Sequence, residues 1–456
     1  MQALPRSASK WPLRTLSASP LSSRTAFVCL SCRSLQHQQA SSQVTPRRQR
    51  RGFSSGATLR ENTRNDSYTA PPPPPSSGYA RLTTRRLISI SGVDAPHFLQ
   101  GLITTSIEAR STTATQSATP PTEQRPWFYC GFLNALGRVL HDVFIYPVAP
   151  GPSGDPHFII EVDDAQLPTL LKHLKRYKLR SKISLREIEE NEMSVWQVWH
   201  DGDNNSRSTQ QHAEDLAGRD GEGSVVIPDL RAPDMGYRVL ALGTDLDVLA
   251  LDLVPPELAE ETDEAAYRVR RYLRGVPEGS AEIVPAQAVP QEYNMDVMGG
   301  VDFRKGCYVG QELTIRTRHR GVVRKRVLPC LLYGQDEATP TALEYKPHTA
   351  PFLGGRDLHG LTIGRLGKKE RRTGTFLAGT GNIGLALCRV QLMSDLVVPN
   401  DTATFEFDPA AEFVIQPSKD GEGGPVDGGE ETVKIKAFVP EWLRQRLDED
   451  AARHQR

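Results

Sequence analysis

One cysteine in this chain has the setting of a reactive group. Cys307 sits in "KGCYVGQELTIRTRHRG", Lys305 to Gly321, and Arg304 to Arg326 carries eight Lys or Arg against one acid, Glu312. Dense positive charge favours a thiolate over a thiol. Gly306 and Gly310 permit close backbone approach, while Gln311 and Glu312 add polar groups. The competing reading is a small buried hydrophobe beneath a solvated arginine face.

The run after Gly310 admits two local structures. A helix over Gln311–Arg320, opened by Gly310 and closed by Gly321, would put Cys307 near the positive end of its dipole. A strand is the competitor, because Leu313, Ile315 and Thr317 alternate with Arg316, Arg318 and Arg320, and so short a run leaves the period open. A cysteine hydrolase would need a base within reach, with His319, His141 and His97 as candidates, but no triad signature accompanies them.

The other cysteines are Cys29, Cys32, Cys130, Cys330 and Cys388. Permanently held zinc or iron–sulfur centres generally show closely spaced ligands, and the only close pair, Cys29 and Cys32, falls in a leader-like segment. Residues 1–60 hold ten Lys or Arg and no acid. This basic, Ser-rich composition is that of a mitochondrial transit peptide, placed at 1–53 with "RRGFSS" as its processing site. Past residue 60 the balance is 45 basic to 55 acidic. A mildly acidic remainder disfavours nucleic acid as a partner, and no apolar run reaches the ~20 residues of a membrane span.

The elements that must position Cys307 follow in order. Residues 54–80, with five consecutive prolines, read as a disordered Pro-rich linker. "RRLISISG" predicts a strand and "VDAPHFLQGL" a helix with Asp94 as N-cap. "WFYCGFLNALGRVLHDVFIYP" predicts a hairpin turning at Gly137, and "HFIIEV", "SKISLREI" and "MSVWQVWH" predict strands. Helices are expected over "DDAQLPTLLKHLKRYKL" and from Pro256 to Leu273, each with acids early and bases late. Short strands dominate from Arg326. The expected layout is an α+β domain at 81–328, a small β-barrel at 329–446 and a polar tail at 447–456, with polar insertions near 201–223 and 335–380.

"KGCYVGQE", Arg316 and the "RG" at Arg320–Gly321 resemble the signature of the YgfZ-type family, relatives of the folate-dependent aminomethyltransferase (GcvT) of the glycine cleavage system. "GVDAPHFLQGLITT", "FLNALGRVLHDVFIY", "YKLRSKI", "DLRAPDMGYRV" and "GLALCR" agree in order, from about Leu87 to Arg389. The resemblance implies a three-lobed aminomethyltransferase fold with a C-terminal barrel, around an opening that accommodates tetrahydrofolate in relatives. With the basic leader it implies a mitochondrial matrix protein acting late in iron–sulfur cluster assembly. Its implied partners are A-type carrier proteins and four-iron client apo-enzymes of the aconitase and lipoate-synthase types.

Carried over from the signature are Lys305, Gly306, Cys307, Tyr308, Gly310, Gln311, Glu312 and Arg316. Cys307 is then a transient thiolate, a labile ligand to a cluster shared with a partner or a redox-active thiol, and no permanently bound cofactor is expected. Where aminomethyltransferases carry paired aspartates, this chain has His141 and Asp142, which disfavours aminomethyl transfer. A folate enzyme would use Asp142 as proton acceptor and Arg316, Arg318 and Arg320 for the anionic tail of tetrahydrofolate. A third reading is a scaffold whose arginine face docks an acidic partner.

Overall fold

The computed structural model describes residues 70–107, 128–150, 154–201, 224–246, 260–347, 358–367, 372–398, 407–416 and 432–454, all within one compact unit, residues 66–456. The expected transit peptide and nearly all of the 201–223 insertion lie outside these residues.

Period-two burial builds the first lobe. β1 (Ser77–Arg81) is followed by β2 (Arg85–Ser91), in which Ile88 and Ile90 are fully buried and alternate with half-exposed Ser89 and Ser91. Helix α1 (Ala95–Gln100) lays Phe98 and Leu99 on the sheet. β3 (Phe128–Leu133) and β4 (Val139–Val148) form the hairpin, where Asn134 Oδ1 accepts from the Leu136 and Arg138 amides and Gly137 turns at φ 78°. With β5 (His157–Asp163) and β6 (Ser184–Ile188) these strands make an antiparallel sheet in the order β3-β4-β5-β2-β6. Helix α2 (Leu167–Lys178) covers it through Leu167, Leu170 and Leu174.

The second lobe is the sheet β10-β1-β7-β9-β8, from β7 (Met193–His200), β8 (Val225–Pro228), β9 (Tyr237–Leu242) and β10 (Glu261–Thr262). Against it packs α3 (Glu264–Arg274), capped by Asp263 Oδ1 on the Ala265 amide and closed by left-handed Gly275. Helix α4 (Gln311–Arg320) leads to the third lobe. There β11 (Lys325–Tyr333), β12 (Thr362–Arg365), β13 (Gly374–Thr380), β14 (Ile383–Arg389), β15 (Phe413–Gln416) and β16 (Lys434–Ala437) close into a barrel, because β11 pairs with both β14 and β16. The short α5 (Val390–Met393) and the C-terminal α6 (Glu441–His454) follow among the described residues. The α+β architecture with a C-terminal barrel is as the sequence predicts.

Four boundaries differ. The linker expected through residue 80 gives way to β1, whose residues pair with β7 and β10, and Trp199 Nε1 donates to the Pro75 carbonyl at 3.0 Å. The helix expected from Pro256 begins at Glu264, since Glu261 and Thr262 pair with β1. The 335–380 insertion contains the whole of β12 and β13. The polar tail continues α6 as far as His454, a helix seated by the burial of Trp442 and Leu443, with Trp442 Nε1 donating to the Arg274 carbonyl.

Candidate functional site

Cys307 lies on a loop that spans Gly300 to Gly310 and is fixed from beneath by the end of α1. The Asp302 amide donates to the Thr104 carbonyl and the Val309 amide to the Gly101 carbonyl, while Thr104 Oγ1 bonds the Gly300 carbonyl. Lys305 Nζ donates to the carbonyls of Gln100 and Ile103 at 2.7 Å and of Thr105 at 3.1 Å, with the Tyr308 ring 4.9 Å away. Carbonyls ending a helix lack partners of their own. The lysine ammonium therefore serves the loop's anchorage. The buried Tyr308 sits below it, its phenol pushed up to about 12 by burial.

Helix is the outcome at Gln311–Arg320, and two glycines explain how it seats. Gly310 opens α4 at φ 81°, where a side chain would be strained, and an added Cβ would collide with the Asn134 carbonyl and come within 2.9 Å of Leu133 Cβ. Reciprocally, a Cβ on Gly137 would meet Leu313 Cβ at 2.5 Å and the Gly310 carbonyl at 2.8 Å. The two conspicuous glycines of the sequence are thus one contact, hairpin tip against helix start. Gln311 Oε1 accepts from the Tyr308 amide at 3.3 Å, and Gln291 Nε2 ties down the Thr314 carbonyl.

On this frame Cys307 is exposed, and the space beside Gly306 is open to 4 Å. Cys130, Cys330 and Cys388 are fully buried, and burial pushes the Cys130 and Cys330 thiols up. Among the described residues Cys307 is the one cysteine a partner can touch. Glu312, Arg304, Arg316 and Arg320 are exposed around it in the chain, and Arg316 and Arg320 make no ion pair among the described residues. Arg318 points elsewhere: its guanidinium pairs with Asp450 of α6, one bond at 2.6 Å, and lies 4.5 Å over the Phe303 ring. Between α4, α6 and residues 296–304 opens a cleft of about 840 Å³, with Val297, Val301 and Phe303 on its apolar side and Arg304, Arg318 and Asp450 among its charges.

Asp142 belongs to a different environment. It is 3 % exposed, accepts from the Gly279 amide at 3.1 Å and stands 3.6 Å from Arg85, and burial raises its carboxyl above the ordinary range. Around it runs a network of buried charges drawn from distant segments. Arg85 bonds Glu161 (2.7 Å), Arg238 bonds Glu278 (2.6 Å), and Arg231 bonds Asp229 (2.6 Å) and Glu278 (2.7 Å). The Arg231 and Arg238 guanidiniums each lie 4.8 Å from the centre of the Phe144 ring. Glu278 is held well below the ordinary carboxylate range: burial opposes this, and Arg238 and Arg231 outweigh it. Arg85 Nη1 and Nη2 and the Tyr129 hydroxyl have no hydrogen-bond partner among the described residues.

The sequence grouped Asp142 with Arg316, Arg318 and Arg320 as a folate or partner contact. In the fold, Asp142 is bound in the interior, Arg318 is paired with Asp450, and only Arg316 and Arg320 remain at the surface. The carboxylate a folate-dependent transfer would need as proton acceptor is already engaged by Arg85 and Gly279. The histidines do not make a Cys307 base either. His141 is buried, with burial lowering its pKa to about 4, and the Cys307 thiol makes no hydrogen bond among the described residues. The charge network and the Lys305 anchorage escaped sequence reading, since their members lie far apart along the chain.

Three lobes ending in a barrel, with an ordered loop presenting one thiol, define an aminomethyltransferase-fold protein. The aminomethyltransferase T of the glycine cleavage system from Bartonella henselae superposes with a TM-score of 0.51 at 12% identity, over 82% of this chain and 88% of that one. No family model matches the sequence. Curated relatives do: the mitochondrial "Iron-sulfur cluster assembly factor IBA57 homolog" of Pyricularia oryzae is 46% identical over 83% of this chain and 88% of its own length. Those of Chaetomium globosum and Neurospora crassa are 42% and 41% identical, over 92% and 96% of this chain and 93% of their own lengths. The chain belongs to this family of mitochondrial iron–sulfur cluster assembly factors.

Proposed function

We propose that this mitochondrial protein acts in iron–sulfur cluster assembly, late in the maturation of four-iron proteins, and that Cys307 lends a transient thiolate to a cluster in transit. Accessibility carries the reading. Cys307 is the exposed cysteine of the described residues, on a loop whose backbone is pinned by α1, while the other three described thiols are sealed in cores. Iron prefers soft thiolate donors. A single exposed thiolate can complete a ligand set that a partner supplies in part, losing its proton to solvent as it binds, without retaining the cluster alone. The partners proposed are A-type carriers, and the clients apo-enzymes of the aconitase and lipoate-synthase types.

The folate-transferase reading is weaker, because its proton acceptor is engaged in the interior. A docking scaffold has one observation in its favour: the unpaired Arg316 and Arg320. Anaerobic reconstitution with an A-type carrier separates these readings. Wild type and Cys330→Ser are expected to give the absorption bands of a shared cluster, and Cys307→Ser to lose them. Equal spectra from Cys307→Ser would sink the thiolate, and loss of carrier binding on Arg316→Glu/Arg320→Glu with Cys307→Ser silent would establish the scaffold.

A further inference from the structure

The far end of α2 carries a surface that the cluster site does not use. Residues 172–182 read "KHLKRYKLRSK" and hold six cations, Lys172, Lys175, Arg176, Lys178, Arg180 and Lys182, with no acid. Five are exposed and Lys178 is half-buried, and none makes an ion pair or side-chain hydrogen bond with any described residue. Cations in the last turn of a helix complement its dipole. That accounts for Lys175, Arg176 and Lys178, but not for Lys172, nor for Arg180 and Lys182 beyond the helix.

It also leaves Leu179 unexplained. This leucine is 87 % exposed at φ 42° and ψ −107°, a backbone region that side-chain-bearing residues rarely occupy. The molecule thus holds an apolar side chain out to solvent at a strained backbone position. A second exposed apolar residue lies on the turn that meets Lys182. The turn Gly92–Asp94 lies directly against Lys182, whose amide donates to Asp94 Oδ2 at 2.7 Å, and Val93 on that turn is 59 % exposed.

Exposed apolar residues beside a run of cations that pair with no described residue match an anionic lipid surface, where the apolar side chains enter the headgroup region and the cations lie over the phosphates. An acidic protein is the lesser match, because a protein interface of this charge would be expected to offer defined carboxylate forks or a groove, whereas these cations are spread over exposed loops and a helix end. The rest of the chain favours the same orientation: past residue 60 acids outnumber bases 55 to 45, so an anionic bilayer repels the body and attracts this end. We propose that the C-terminal end of α2, with the Leu179 loop and the Val93 turn, docks peripherally on an anionic phospholipid membrane.

Partition of the full chain into vesicles tests this, comparing phosphatidylcholine alone with phosphatidylcholine mixed with cardiolipin. The leader is the same in every variant, so differences report on the patch. Each of Lys175→Gln, Arg176→Gln, Lys178→Gln and Arg180→Gln is expected to weaken partition into the anionic vesicles about fivefold. Leu179→Gly, which relieves the backbone strain and so keeps the fold, is expected to weaken it roughly tenfold. Leu179→Trp is expected to shift its fluorescence to the blue on those vesicles only. Variants that partition like wild type, or equal partition into phosphatidylcholine alone, overturn the proposal. So does a photo-crosslinker at position 179 that captures an acidic protein in mitochondria while lipid partition stays indifferent to the substitutions.

Discussion

Two glycines of the loop, Gly306 one residue before Cys307 and Gly310 three after it, have opposite tolerances, and the difference is calculable. Gly310 is left-handed and pressed against Asn134 and Leu133, whereas Gly306 faces open space. Gly310→Ala should therefore cost on the order of 2–4 kcal/mol, strain plus collision, and Gly306→Ala should be near neutral, as read from denaturant midpoints. From sequence alone both were simply glycines allowing close approach. Which one needs to be glycine depends on the hairpin at Leu133–Gly137, about 175 residues earlier, and no local pattern encodes that contact. Lys305 shows the same limit: a lysine two residues from a cysteine suggests thiolate support, yet its three donors are taken by the carbonyls of Gln100, at the end of α1, and of Ile103 and Thr105 just after it.

At the scale of elements, the period-two strands and the Asn134–Arg138 turn were legible because side-chain alternation and turn chemistry are local. Helix α4 was ambiguous because its apolar residues alternate, and it buries only Thr314; the Gly310 cap and the Gln291 bond to the Thr314 carbonyl decide for helix. The packing of β4 against α2 carries a pH consequence. His141 lies edge-on to Phe132 and His173, buried, and its pKa of about 4 lies below the ordinary 6.5. Between those values the unfolded chain binds the extra proton, so stability falls as pH drops from 6.5 to 4, by up to roughly 3 kcal/mol. The buried Asp142 carboxyl, raised above its ordinary value, works in the opposite sense in the acid range. His141→Phe is expected to flatten the slope of unfolding free energy against pH over this window, measured by urea titration at each pH.

For the whole molecule, the interior is as much electrostatic as apolar. The sequence read Arg270 and Arg271 as dipole complements at a helix end, yet both are buried, Arg270 on Asp201 and Arg271 on Glu282. Charge patterns assume a solvated face, and these residues face inward because acids from two other segments, Asp201 and the Glu278–Glu282 stretch, meet them. Glu278 is the hub, shared by Arg231 and Arg238. Truncating one partner strands buried charges, so Glu278→Ala should destabilise by about 3–5 kcal/mol, or abolish a cooperative transition, as followed by calorimetry. Replacing Glu312 on the surface should leave the transition within ~0.5 kcal/mol.

The grip of α6 on α4 sets an order of events in time. Arg318 waits for Asp450, 132 residues later, and Arg446 donates to the carbonyls of Leu230 and Arg231, more than two hundred residues earlier. Closing loops of that length comes late in folding, after local hairpins and helices have formed. The loop bearing Cys307 takes its own anchorage across about 200 residues, through Lys305 on the carbonyls of Gln100, Ile103 and Thr105, so it and the wall that the C-terminal helix supplies both wait on long-range closure. A chain interrupted in its folding would thus carry its thiol before either its anchorage or its cleft, and the completed surface would itself report that maturation of the protein had reached its end.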